Sequence, residues 1–151
     1  MFFRRAPARC AGSMVALILA LSSRDMSAQT KRTTDGESAT VPLSRGAYTR
    51  AQATRGEKAY RTSCNSCHAP SAYTGESFTQ LWVGRTAYDL VSLLRRTMPN
   101  DDPGGLPKQQ YVDIVAYLFR LNGYPPGARV LSSEDAALRR VRIDPVPARS
   151  R

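Results

Sequence analysis

Five consecutive residues, Cys64-Asn65-Ser66-Cys67-His68, constrain this chain more than any other stretch. They hold two thiols and the chain's only histidine. On a helical turn, residues three and four apart share a face, so Cys64, Cys67 and His68 can point the same way. Several chemistries use such clusters. A structural zinc site needs about four ligands. The chain has three cysteines and one histidine, and Cys10 falls in a segment read below as a removable leader. A thioredoxin-like pair expects C-x-x-C in a βαβ setting, whereas here a helical pattern precedes the motif and Pro70 follows it. A plain disulfide leaves His68 without a role. C-x-x-C-H is the attachment signature of c-type haem. Cys64 and Cys67 would form thioethers to the two vinyl groups, and His68 would reach the iron from the proximal side. The expectation is one covalently attached haem c per chain.

Residues 1–28 read as a secretory signal. Arg4, Arg5 and Arg9 form a basic start, and Ala11 to Leu21 an apolar stretch shorter than the ~20 residues a membrane-spanning helix needs. Met26-Ser27-Ala28 is an imperfect cleavage site, because Met26 is large for its position. The mature chain is expected to be periplasmic and to carry no membrane span. An uncleaved anchor is the lesser alternative. Residues 29–43 are rich in Thr, Ser, Asp and Gly and read as a flexible linker.

The remaining length suits one small domain. Formal net charge is +10, a balance that can signal nucleic-acid or membrane contact. The basic residues are scattered singles and pairs, however, as at Arg95-Arg96 and Arg139-Arg140. No Lys/Arg run interleaves with aromatics as a nucleic-acid groove requires. A solvated cationic surface is the plain reading, and steering toward acidic redox partners the functional one.

Three helices organise the domain. The first is capped at Thr49, with Gln52 completing a capping box, and is expected to run to His68, since Pro70 turns Ala69 out of the helical region. Gly56 costs about 1 kcal/mol there relative to Ala, which suggests that another element approaches closely. Residues 71–85 read as a loop whose Tyr73, Phe78, Leu81 and Trp82 cover the haem edge. Trp82 either donates its indole N–H to a propionate or simply packs. A second helix starts at Thr86-Ala87-Tyr88-Asp89 and carries Leu90, Leu93 and Leu94. A third begins near Pro107, buries Tyr111, Ile114, Val115 and Leu118, and ends at Asn122-Gly123. Its Tyr117 and Leu118 are expected to cross the first helix at Gly56. Residues 125–151 read as a partly disordered extension with a short helix over 134–141 capped by Ser133.

Between the second and third helices lies Thr97-Met98-Pro99. Pro99 pushes Met98 into extended backbone at the helix end. Met98 is the one methionine outside residues 1–28, and it lies far enough beyond His68 to reach the opposite face of a porphyrin. The plain alternative is a core gap-filler. The functional reading makes Met98 the second axial ligand, a pairing that raises the reduction potential.

Cys64-Asn65-Ser66-Cys67-His68, Thr97-Met98-Pro99 and the helices near 49–68 and 107–122 together resemble single-haem, class I c-type cytochromes over residues 44–124. Residues 84–127 are also similar to haem domains that accept electrons from dehydrogenases. The resemblance implies a small all-α domain around one covalent haem, with electron transfer through its exposed edge. It also implies haem attachment outside the bacterial cytoplasm, in agreement with the leader. The implied protein is not itself an enzyme. It is a periplasmic carrier of single electrons between redox proteins, a dehydrogenase or a terminal oxidase among them. The alternatives are a dedicated dehydrogenase subunit and a haem enzyme or sensor whose sixth position is open.

Overall fold

In the computed structural model the described residues are 39–146, and they form an all-α domain with two very short strands. The expected leader, and most of the expected linker, lie outside them. In order come strand β1 (Val41–Pro42), a 3-10 turn (Leu43–Arg45) and helix α1 (Arg50–Ser63). A second 3-10 turn (Pro70–Tyr73) follows, then α2 (Glu76–Trp82), α3 (Ala87–Thr97), α4 (Lys108–Leu121), α5 (Asp135–Arg140) and β2 (Val141–Arg142).

Two helix starts form as their sequences dictate. The Thr49 hydroxyl accepts from the Gln52 N–H at 3.2 Å, and the Gln52 side chain accepts from the Thr49 N–H. The same reciprocal pair joins Thr86 and Asp89. Its carboxylate accepts the Thr86 N–H at 2.8 Å, and this bond holds the Asp89 carboxyl below its ordinary range.

The frame is the packing of α1 on α4. Gly56 is buried there, and a Cβ at that position would overlap the backbone carbonyl of Asp113. The close approach expected at Gly56 is thus real, but the partner is the Asp113 main chain and not Tyr117 with Leu118. One turn further along both helices, Tyr117 packs on Tyr60 with ring centroids 5.5 Å apart. Beside the crossing, Asp113 is 95% buried yet well paired. Arg55 grips it through Nε at 2.7 Å and Nη2 at 3.0 Å, and Gln109 adds a bond at 3.0 Å.

Three readings are corrected. Structure begins before residue 44: Val41 pairs in parallel with Val141, and Leu43 is fully buried. An apolar Val-Pro-Leu run at the end of a polar stretch was the overlooked signal. Residues 71–85 are mostly helical, because Glu76–Trp82 closes into α2 after Gly75 takes a positive φ of 69°. Residues 125–146 are an integral strap, with Leu131, Leu138, Val141 and Ile143 all in the core. The strap is anchored by the bond from the Gly127 N–H to the Tyr48 carbonyl at 2.7 Å, and by Gly84 and Arg85 bonding both sides of Ile143. Gly127 passes so close to Gly46 that a Cβ there would collide with the Gly46 carbonyl. The short helix forms over Asp135–Arg140 without a side-chain cap from Ser133. The Ser132 hydroxyl instead accepts from the Glu134 N–H at 3.1 Å. Residues 147–151 lie outside the described part.

Candidate haem site

The first helix stops earlier than its pattern suggests. Cys64 is its C-cap, donating its N–H to the Tyr60 carbonyl at 2.8 Å. The chain then turns tightly on the Cys64 carbonyl, which accepts from the N–H of Cys67 at 3.1 Å and of His68 at 2.9 Å. Cys64, Cys67 and His68 are therefore gathered on one turn beyond the helix, not on the helix itself. Ala69 is extended (φ −66°, ψ 134°) ahead of Pro70, as the proline requires.

Cys64 is half-buried and Cys67 exposed, and neither is in a disulfide. Burial pushes the Cys64 thiol up. A redox-catalytic pair needs the opposite, a thiolate favoured by a helix N-terminus or a cation; this pair follows a helix C-terminus. Among the described residues no group of three or more His, Cys, Asp or Glu side chains is assembled to hold a metal ion.

Two phenols hold His68. Tyr60, from the last turns of α1, donates to the His68 carbonyl at 2.8 Å. Tyr73, from the second 3-10 turn, lies 2.7 Å from ring Nδ1. With Nδ1 engaged, Nε2 is the nitrogen left to bind a metal. Around this turn Tyr60, Ile114, Tyr117 and Leu118 form an apolar cluster distinct from the main core. Cys64, Tyr73, Leu94, Leu106 and Leu121 pack along its edge.

Met98 sits at the end of α3 in extended backbone (φ −134°, ψ 151°), as Pro99 demands. Its N–H donates to the Leu94 carbonyl at 2.8 Å, and its carbonyl accepts from the Tyr111 hydroxyl at 2.7 Å. These bonds fix the main chain of this half-buried residue. The link between Met98 and the His68 turn is indirect: Leu94 and Leu106, on either side of Met98 in sequence, pack on the cluster that also receives Cys64 and Tyr73.

The other residues expected over the haem edge divide. Tyr73 is at the site. Phe78 is buried in the main core and Leu81 is 60% exposed. Trp82 packs against the main core with the Arg85 guanidinium 5.7 Å above its ring. The sequence reading missed the roles of Tyr73 and Asn122. Tyr60 carried a weak signal, one helical turn before Cys64. Tyr73 carried none, because the 3-10 turn that folds it back on His68 has no periodic signature.

The donor set fits covalent haem. It offers two thiols outside any disulfide and an imidazole on one turn, the imidazole oriented through its far nitrogen, beside an apolar wall. A helical domain so equipped has the donors that a c-type cytochrome domain needs. Residues 51–118, just under half of the chain, match the family described as cytochrome C oxidase, cbb3-type, subunit III, a match that supports a single-haem c-type cytochrome domain there. The match runs from the first turn of α1 into the last turns of α4 and includes Cys64, Cys67, His68 and Met98. No curated protein and no solved structure matches the chain significantly.

Proposed function

We propose that this protein is a periplasmic c-type cytochrome that carries single electrons, in which Cys64 and Cys67 would hold haem c and His68 and Met98 would bind its iron. A bound haem supplies a one-electron ferrous/ferric couple. The chain's own residues do the rest. Cys64 and Cys67 tether the group. Tyr60 and Tyr73 hold His68 by its carbonyl and by Nδ1, so that Nε2 is the free donor. Tyr60, Ile114, Tyr117 and Leu118 keep water from one side of the site. Tyr111 pins the Met98 carbonyl, which keeps the loop from swinging away. The engaged Nδ1 of His68 on the two-cysteine turn is the observation that carries this reading.

Export is supported by residues 1–28 as read from the sequence. The partner class we favour is a redox complex of the oxidase kind, from the description of the matching family; a dehydrogenase is the second choice. Mass spectrometry and a visible spectrum on protein exported from a haem-ligating host test the reading. The expected result is a chain lacking its leader, heavier by one porphyrin, with a low-spin spectrum. Colourless protein without added mass overturns it. Rapid carbon monoxide binding by the ferrous protein would remove Met98 from the iron and favour a sensor with an open position.

A further inference from the structure

His68 has an unusual amount of side-chain support. A histidine χ2 is a broad torsion, so the hydrogen bond at Nδ1 selects the plane of the ring. Three nearby main-chain carbonyls already accept a hydrogen bond. The His68 carbonyl receives the Tyr60 hydroxyl, the Ala69 carbonyl the Ala72 N–H at 3.0 Å, and the Ser71 carbonyl the Thr74 hydroxyl at 2.9 Å. The partner of Nδ1 is the Tyr73 phenol at 2.7 Å, its ring edge-on to the imidazole with centroids 5.7 Å apart.

Tyr73 is itself anchored from a distant part of the chain. The Asn122 amide at the end of α4 donates to the Tyr73 carbonyl and to the Leu118 carbonyl, both at 2.9 Å. Its oxygen accepts the Gly75 N–H at 3.0 Å. One side chain thus rivets the 73–75 segment to the helix that crosses α1, the helix leading into the two-cysteine turn.

We propose that Tyr73 is the positioning residue for His68, accepting the Nδ1–H through its phenol oxygen, with Asn122 holding Tyr73 in place. This rests on the haem reading above. The bond orients the ring and raises the electron density at Nε2, which favours ferric iron. Because the acceptor is a side chain, a point substitution can remove it without cutting the backbone.

The test uses the full chain matured with haem, in wild type, Tyr73→Phe, Asn122→Ala and Thr74→Ala. Haem content is read first by mass, then the reduction potential by redox titration and the haem-methyl shifts by NMR of the ferric protein. In Tyr73→Phe we expect full haem content, a raised potential such that the ferrous fraction at fixed ambient potential grows several-fold, and displaced haem-methyl shifts. Asn122→Ala should move both readouts the same way by less. Thr74→Ala, which removes an exposed hydroxyl bonded to the Ser71 carbonyl and not to the imidazole, should move neither. An unchanged potential and spectrum in Tyr73→Phe overturns the proposal, as does an equal shift in Thr74→Ala. If Tyr73→Phe does not accumulate, Asn122→Ala decides by the same two readouts. Wild type without haem brings down the function and this proposal together, whereas haem-loaded variants with wild-type potentials bring down this proposal alone.

Discussion

Helix α1 serves two regions under opposite rules. At Gly56 it meets the Asp113 main chain with no space between, flanked by fully buried Gln52 and Ala53. Two turns on, it releases a turn whose Cys67 is exposed and whose Cys64 and His68 are only half-buried. The crossing is held by shape, because close-packed backbone tolerates no added atoms. The turn is held by a few hydrogen bonds from Tyr60 and Tyr73, which engage neither the two thiols nor Nε2. A region that must fix a frame is buried, and the region proposed to meet a cofactor is braced by side chains behind it and is only partly covered.

The contrast breaks first at Gly56. Gly56→Val drives branched carbons into the Asp113 carbonyl, and overpacking against backbone should cost about 3 kcal/mol or more. Loss of the cooperative melt by circular dichroism is the expected result; a melt within a few degrees of wild type would show that the crossing yields. Next, Leu138→Ala tests whether the strap is part of the frame. Leu138 is fully buried, so truncation should cost about 2–5 kcal/mol in urea unfolding, while a cost below about 0.5 kcal/mol would return residues 125–146 to the status of a tail. At the turn, the Cys64→Ala, Cys67→Ala pair should abolish haem attachment and lower stability, because so small a domain buries a marginal core. A haem-free double variant as stable as mature wild type would contradict that. Tyr60→Phe removes only the bond to the His68 carbonyl and should cost about 1 kcal/mol; denaturant midpoints measure it.

The smallest effect is absent near neutrality and appears only in alkali. Burial pushes the Tyr48 phenol up to about 12, against the lowering pull of Arg120 and Arg50. Burial, aided by the charge of Asp144, does the same to Tyr124. Both phenols are raised in the folded state, so the unfolded chain loses their protons first. Their contribution is intact below about pH 10 and falls as pH climbs from there toward 12. Phenolate absorbance should show these two titrating late, and stability should decline over the same interval. Titration of all seven tyrosines near pH 10 in the folded protein would rule this out.

Much of the candidate site was legible in the sequence. Cys64, Cys67 and His68 announce themselves by spacing, the Thr49 and Thr86 caps by residue type at a fixed offset, and the extended Met98 by the proline after it. All are local, acting within about one turn. The misreadings share a different cause. Leu43 and the strap through Ile143 become core only by meeting each other, as the Val41 to Val141 pairing shows. The helix stops at Ser63 because the Tyr60 carbonyl accepts from both the Cys64 and the Asn65 N–H, so that Asn65 bypasses Arg61, its helical partner, a competition that periodicity does not register.

Taken alone, the sequence determined the chemistry available: which donors exist, that three of them lie within five residues, and where helices begin. Tertiary structure decided what surrounds them. It brought Asp113 rather than Tyr117 against Gly56, folded Tyr73 onto Nδ1 of His68, and used Asn122 from the far end of α4 to keep it there. The reason is range. A cap, a proline or a C-x-x-C-H spacing acts through bonds a few residues long, whereas the partner of a buried glycine or an imidazole nitrogen is whatever the rest of the chain delivers to that point in space.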